Sequence, residues 1–339
     1  MSILSDKINH IPTKIPPIWC MRQAGRYQSS YRKLREKYSF VDICKTPELA
    51  SDVAIASIKE FDFDIAILFS DILFPLEALG MKLSYLDSGK PELEKLNDIN
   101  QINSFNTLSE AISLLSFQTK ALEYTREQLS QDKSLLGFIG APFTLFMFAT
   151  HQYQKSDKID LSDYNLDLYE AFSKKIMGLL ILSIEQQLNA GAECIVIFDS
   201  LINKISFNQF EEIIAPQLND IFAPFKKKLA YFGKGISGDT FRLNCFTNNN
   251  LAGLCLDSDK LLSNFLSFDG FIQGNFNPNN LLLDQNDLIK EIDKFLNNPA
   301  LATQGSRSNW ICSLGHGILP NTPEDNVKIF IERTREYFT

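Results

Sequence analysis

Short apolar runs alternate with helical segments along the whole chain. The runs fall at 18–21, 64–69, 135–139, 194–198, 229–232, 253–256, 270–273 and 310–314. Each is four to six residues long, mostly Ile, Val, Leu or Phe, without strict polar alternation. Parallel strands covered on both faces read in this way. Between the runs, helical punctuation recurs. Thr46-Pro47-Glu48 supplies an N-cap, a first-turn proline and an early carboxylate ahead of an apolar face of Ala50, Val53, Ala54 and Ile58. Thr107 and Glu110 have capping-box spacing before Leu108, Ile112, Leu115 and Leu122. A helix over 166–190 stops at Gly191, and Thr322-Pro323-Glu324-Asp325 opens a last helix with Val327, Phe330 and Ile331 inward. Eight strand–helix units predict an α/β fold, a closed (β/α)₈ TIM barrel forming a single domain over 1–339, rather than an open doubly wound sheet. The polar stretches 87–106 and 152–165 read as loops, and the first 14 residues as a loosely held segment.

Composition narrows the function classes. With 45% hydrophobic residues the chain can bury a large core, and a formal charge of −8 with a pI near 5.1 argues against nucleic acid and anionic membranes as partners. An anionic substrate must then be attracted locally. The six cysteines form no close pair, which reads as reduced thiols in a cytoplasmic protein. The longest apolar run, around 176–184, is too short to span a bilayer, and the N-terminus lacks a cleavable hydrophobic region.

In a barrel the reacting groups sit where strands end. Here the first run ends at Arg22 in Pro17-Ile18-Trp19-Cys20-Met21-Arg22-Gln23-Ala24-Gly25-Arg26-Tyr27. Two guanidiniums flanking an Ala-Gly pair suggest a carboxylate clamp, because guanidinium is planar, always charged and bidentate. The second run ends at Ser70-Asp71, the fourth at Asp199-Ser200, the fifth at Lys234-Gly235, the sixth at Asp257 and the eighth at Gly315-His316-Gly317. Asp71 is placed to accept donor groups or face a cationic intermediate, with a helix cap or barrel salt bridge as the structural alternative. His316, between glycines, presents an unshielded imidazole.

Two other chemistries have weaker support. Gly233-Lys234-Gly235-Ile236-Ser237-Gly238 matches a dinucleotide-type glycine pattern, with Asp257 at the spacing of a ribose-binding acid, but it falls in the fifth of eight units. For zinc, the three histidines are His10, His151 and His316, and the nearest cysteine pairing is His316 with Cys312, which is no recognisable ligand motif.

Met21-Arg22-Gln23-Ala24-Gly25-Arg26-Tyr27 and Phe69-Ser70-Asp71-Ile72-Leu73 resemble the two signatures of the uroporphyrinogen decarboxylase family. Gly137-Phe138-Ile139-Gly140-Ala141-Pro142-Phe143-Thr144, Ile197-Phe198-Asp199-Ser200, Gln273-Gly274-Asn275 and Leu314-Gly315-His316-Gly317 continue the likeness in order, over about 17–337. The resemblance implies a (β/α)₈ barrel that is typically a homodimer and needs no cofactor or metal. It also implies removal of the four acetate carboxyls of uroporphyrinogen III to give coproporphyrinogen III and carbon dioxide in tetrapyrrole (heme) synthesis. Under it Asp71, Arg22 and His316 form the catalytic group. Arg22, Gln23, Ala24, Gly25, Arg26, Asp71, Ser200 and His316 bind substrate. An arginine with a pKa above about 12 is a poor acid, so positioning is the role assigned to the clamp, and His316 has the better pKa for proton traffic.

The chain departs from the family at several places. Phe148 stands where a tyrosine is usual, leaving Tyr153 or His151 as candidate substitutes for the missing hydroxyl. Leu201-Ile202-Asn203 follows Ser200 in place of an aromatic and glycine, Asn277 replaces an aspartate, and Ser258 a tryptophan. A tetrapyrrole-binding homologue without turnover is one alternative. A zinc-dependent cobalamin or coenzyme M methyltransferase on the same barrel is another.

Overall fold

The computed structural model describes residues 2–86, 89–154, 158–161, 166–248 and 250–339. Among these, strands β1 (Ile65–Ile67), β4 (Ser134–Gly140), β5 (Cys194–Asp199), β6 (Leu229–Gly233), β7 (Gly253–Cys255), β8 (Phe271–Phe276) and β9 (Trp310–Leu314) form one parallel sheet in that order. β2 (Leu83–Tyr85) and β3 (Pro91–Leu93) form a small antiparallel hairpin outside it. The sheet curls with helices packed around it, and β4, β6, β7 and β9 are buried at every position. Unbroken burial explains why these strands show no polar alternation: both faces are covered.

The first predicted strand, 18–21, is not a regular strand. Ile18 makes one parallel bridge to Cys312 of β9, and Cys20 to Gln23 then close a turn. The segment nevertheless lies between the two edges of the sheet. Trp19 N–H donates to Cys312 O and Cys312 N–H to Pro17 O on one side, while Asp64 N–H donates to Ile18 O on the other. The Asp64 carboxylate also accepts Ile18 N–H at 2.8 Å, and Lys133 and Arg335 bind the same carboxylate.

Helix signals hold with local corrections. Thr107 and Glu110 complete the capping box over Leu108–Leu114. Thr46 is the N-cap of Pro47–Phe61 but makes no side-chain cap bond. Pro323, rather than Thr322, caps Glu324–Tyr337. The long helix is Leu166–Asn189, and Gly191, at φ +101°, makes the left-handed exit. The predicted loop at 87–106 contains β3 and the short helix Ile99–Asn103, and Gln152–Gln154 is a helical turn. Residues 87–88, 155–157 and 162–165 of those two stretches lie outside the described residues. The N-terminal segment, expected to be loose, is helical over Ile3–Ile8, with Leu4 fully buried. Lys7 anchors it by donating to Ser308 O and Thr13 Oγ1, and burial lowers its pKa to about 8.

Candidate active site

The loops that follow the strands converge on one cleft. Arg22 arrives from the turn after Trp19, Asp71 from the segment after β1, Ser200 directly after β5 and His316 two residues after β9. All four line a cavity of about 220 Å³, with Phe138 and Phe198 providing an apolar wall. The cleft opens into a shallower hollow of about 730 Å³ that adds Gly25, Arg26, Arg32 and Arg35. Apolar rings beneath fixed cations suit a flat hydrophobic molecule with carboxylates at its edge.

The clamp turn is built from within. Arg22 adopts φ +57°, a left-handed conformation rare for a side chain of its size. The turn is held by Gln23, which is buried: its Nε2 donates to Ile65 O at 3.0 Å, and its Oε1 accepts Cys20 N–H at 3.4 Å. Its own carbonyl accepts the hydroxyls of Tyr27 (2.6 Å) and Ser57 (3.2 Å). Gln23 thus lines the cleft while its carboxamide is engaged inside the protein and shapes the clamp turn. Ala24 lines the cleft, and a side chain at Gly25 would meet only Arg22 O, at 3.7 Å.

Asp71 sits on the cleft floor, partly open to it. One oxygen accepts Leu73 N–H at 2.8 Å, and the preceding Ser70 is held by Gln118 Nε2 at 2.9 Å. Burial raises its pKa; Leu73 N–H, the Tyr85 hydroxyl and the Arg22 charge oppose that rise. Desolvation in turn lowers the pKa of Arg22, with Asp71 acting against it. His316 is held below its ordinary pKa by burial, then by Arg22 and Lys234, so its imidazole is neutral at neutral pH. Its ring stands edge-on to Phe232 at 6.2 Å.

Not every candidate joins this group. Phe148 stacks on Tyr153 at 4.7 Å and 25°, the Tyr153 hydroxyl accepts from Gln154, and His151 Nε2 lies 2.7 Å from Leu93 O. None of the three lines the cleft or the hollow. Cys312 does not line the cleft, its sulfur lying 3.8 Å from Thr334 Oγ1, and His10 Nε2 accepts Gly270 N–H. The glycine pattern after β6 leads into a five-residue turn, Gly238–Arg242, and Asp257 accepts Gly235 N–H at 3.0 Å. That is turn chemistry and not a phosphate cradle. Sequence reasoning missed Arg32 and Arg35, whose i, i+3 spacing on Ser29–Arg35 carried the signal, and Tyr85 behind Asp71.

A family model described as uroporphyrinogen decarboxylase matches residues 3–337. A uroporphyrinogen decarboxylase of Solibacter usitatus is 31% identical, covering 98% of this chain and 96% of its own. One from Campylobacter jejuni is 34% identical, with 96% of each chain covered. Among solved structures, a methyltransferase from Methanosarcina mazei superposes with a TM-score of 0.74 at 16% identity, covering 99% and 98% of the two chains, a likeness of fold.

Proposed function

The chain belongs to the uroporphyrinogen decarboxylase family, and from that premise we propose that the cleft removes acetate carboxyls from uroporphyrinogen III. The observation that carries this reading is the convergence of Arg22, Asp71, Ser200 and His316 in one aromatic-walled cleft. Protonation of the pyrrole carbon beside an acetate makes an iminium-like cation. The electrons of the C–C bond flow into that cation, carbon dioxide leaves, and the exocyclic carbon takes a proton to become methyl. Loss of the ring proton restores the pyrrole, so each turn exchanges one carboxylate and one proton for carbon dioxide and a methyl group. The substrate is its own electron sink, which accounts for cofactor-independent chemistry.

Asp71 accepts pyrrole N–H groups and faces the positive charge as it develops, stabilisation of the kind that a preorganised group gives most cheaply. Its pKa, raised by burial, is countered by Leu73 N–H, the Tyr85 hydroxyl and Arg22, which favour the ionised form this role needs. Arg22 and Arg26 hold carboxylates at the macrocycle's edge, with Arg32 and Arg35 near enough in the hollow to extend the positive rim. Ser200 and His316 complete the contacts. A neutral imidazole suits His316 to accepting a hydrogen bond or proton more than to donating one.

The same reading includes a closed (β/α)₈ barrel with the segment around Ile18 as the eighth staves' member, supported by its hydrogen bonds to both sheet edges. It includes a cytoplasmic homodimer as well. The six cysteines are free and buried, and no helix among the described residues is long and apolar enough to cross a membrane. Anaerobic incubation with reduced uroporphyrinogen III tests the activity: chromatography should show seven-, six-, five- and four-carboxylate products. Tight porphyrinogen binding without carboxyl loss would replace the enzyme by a binding protein. Size-exclusion chromatography with light scattering tests the dimer.

A further inference from the structure

The Tyr85 hydroxyl is buried, yet it forms no hydrogen bond of good geometry. Its ring is fixed by Phe40, edge-on at 4.9 Å, and by Phe74 at 6.3 Å. Its backbone is fixed by the β2–β3 pairing, where Tyr85 faces Pro91. A buried, unpaired hydroxyl is costly and rarely kept without a use. Phe74, on which the ring packs, is three residues beyond Asp71, and Phe40 also packs on Phe69, two residues before Asp71, at 6.1 Å, so the hydroxyl is held on the Asp71 turn. The two groups perturb each other's ionisation in keeping with that placement, Asp71 raising the tyrosine and the tyrosine hydroxyl lowering Asp71.

A carboxylate has about four lone-pair positions. Leu73 N–H occupies one on Asp71, at 2.8 Å. A single backbone bond leaves the carboxyl plane free to swing about it. A second donor, set on the protein side, would fix that plane and leave the remaining positions to the ligand.

We propose that Tyr85 is a positioning residue of the decarboxylation site, its hydroxyl donating to Asp71 from behind and aiming the free lone pairs into the cleft. The inference rests on the role given above to Asp71. Tyr85 itself lines neither the cleft nor the hollow, so it acts through the carboxylate. The other charged or titratable groups around the pair are Arg22, next to Asp71, and Cys44 and Glu77, next to Tyr85; Glu77 is paired with Lys45 at 2.8 Å. None of them supplies the hydroxyl's geometry.

Tyr85→Phe keeps the ring and its packing, so the variant is expected to melt with the wild type. Carbon-13 NMR of the Asp71 carboxyl, assigned with Asp71→Asn, should show its pKa rising by roughly one unit in Tyr85→Phe, because the ionised form loses a donor. In turnover of reduced uroporphyrinogen III, kcat should fall roughly tenfold with KM within about twofold, and the acid limb of the pH profile should move up with the carboxyl. On an Asp71→Asn background, Tyr85→Phe should cost nothing further. An unmoved Asp71 titration overturns the contact. A moved titration with unchanged kcat, or a change in KM alone, overturns the positioning role. A wild-type protein that turns over no porphyrinogen defeats the functional reading instead, and the carboxyl titration then decides by itself whether Tyr85 holds Asp71.

Discussion

The side chain of Arg22 lies directly across Gly317. A Cβ built at 317 would stand 2.6 Å from Arg22 Cδ and 2.8 Å from its Cγ. The glycine after His316 is therefore a seat for the clamp arginine, and the two ends of the chain's functional sequence are packed against each other. The contact also explains how Arg22 can leave a left-handed backbone and still point into the cleft: the stem has no side chain to climb over.

Gly317→Ala is expected to fold, since the atoms it meets belong to a side chain that can shift. The shift moves the guanidinium. Misplacing a positioning group by about 1 Å can cost up to about 10²-fold, and a single methyl should lower kcat/KM at least tenfold, mostly through KM for the porphyrinogen. Steady-state kinetics beside Arg22→Lys provide the check. Wild-type kinetics in Gly317→Ala would show that Arg22 has a second, equally good path into the cleft.

Asp71→Asn should keep the fold and lose turnover. Asparagine still accepts Leu73 N–H with its amide oxygen, but it places no negative charge opposite the cation. Removal of one preorganised electrostatic group costs on the order of 10²–10³ in rate. Substrate binding, followed by fluorescence of bound porphyrin, should weaken far less than kcat falls. A rate within threefold of wild type would make Asp71 a structural residue of the turn before Phe74–Ala78.

Phe148→Tyr is expected to leave turnover within about twofold of wild type. From sequence alone the hydroxyl missing at Phe148 left Tyr153 or His151 as candidate substitutes. In the structure Phe148 stacks on Tyr153, and neither ring lines the cleft. Tyr153→Phe should be equally silent. A gain in rate in Phe148→Tyr would show that the helix Pro142–Ala149 turns this position inward when substrate binds.

These residues mark what was legible in the sequence. Strand ends were legible because burial on both faces leaves a run of apolar residues, and Asp71, Ser200 and His316 each stand two residues beyond such a run and line the cleft. The 18–21 run was apolar for a different reason, wedging between two strands through a few backbone bonds. For Gln23 the motif placed the residue at the cleft but did not say which way its amide points, and the carboxamide is engaged by Ile65 O and Cys20 N–H. Tyr85 was invisible, since it joins the site through a hairpin folded over from a polar stretch, and sequence spacing carries no trace of that approach. The N-terminal helix was missed because Lys7, an unpromising core residue, is buried there against backbone carbonyls and Thr13.

Asp199 supports a prediction about stability and pH. It ends β5, one residue before Ser200, and is fully buried. Thr144 donates its hydroxyl to Oδ1 at 2.6 Å and Tyr231 donates to Oδ2 at 2.9 Å, while Leu201 N–H donates to the same Thr144 oxygen at 3.1 Å. The carboxyl thus anchors the turn that carries Ser200 into the cleft. Burial outweighs both hydroxyls and raises its pKa from 3.8 to about 6. A raised acid pKa means that the folded protein holds the proton more tightly than the unfolded chain. The associated stability is fully present below about pH 4 and is lost as pH rises through about 6. A separation of about two units corresponds to about 3 kcal/mol, as an order of magnitude. Asp199→Asn keeps an acceptor for Thr144 and cannot ionise, so it should lack this slope. Other carboxylates, such as Asp42 and Glu110 with their lowered pKa values, tilt stability the opposite way in both proteins and cancel in the difference. Urea unfolding at pH 4.5 and 7.5 should therefore find the wild type losing stability relative to Asp199→Asn at the higher pH. Parallel curves for the two proteins would mean that Asp199 ionises in the fold as easily as in water, and that its two hydroxyl partners outweigh its burial.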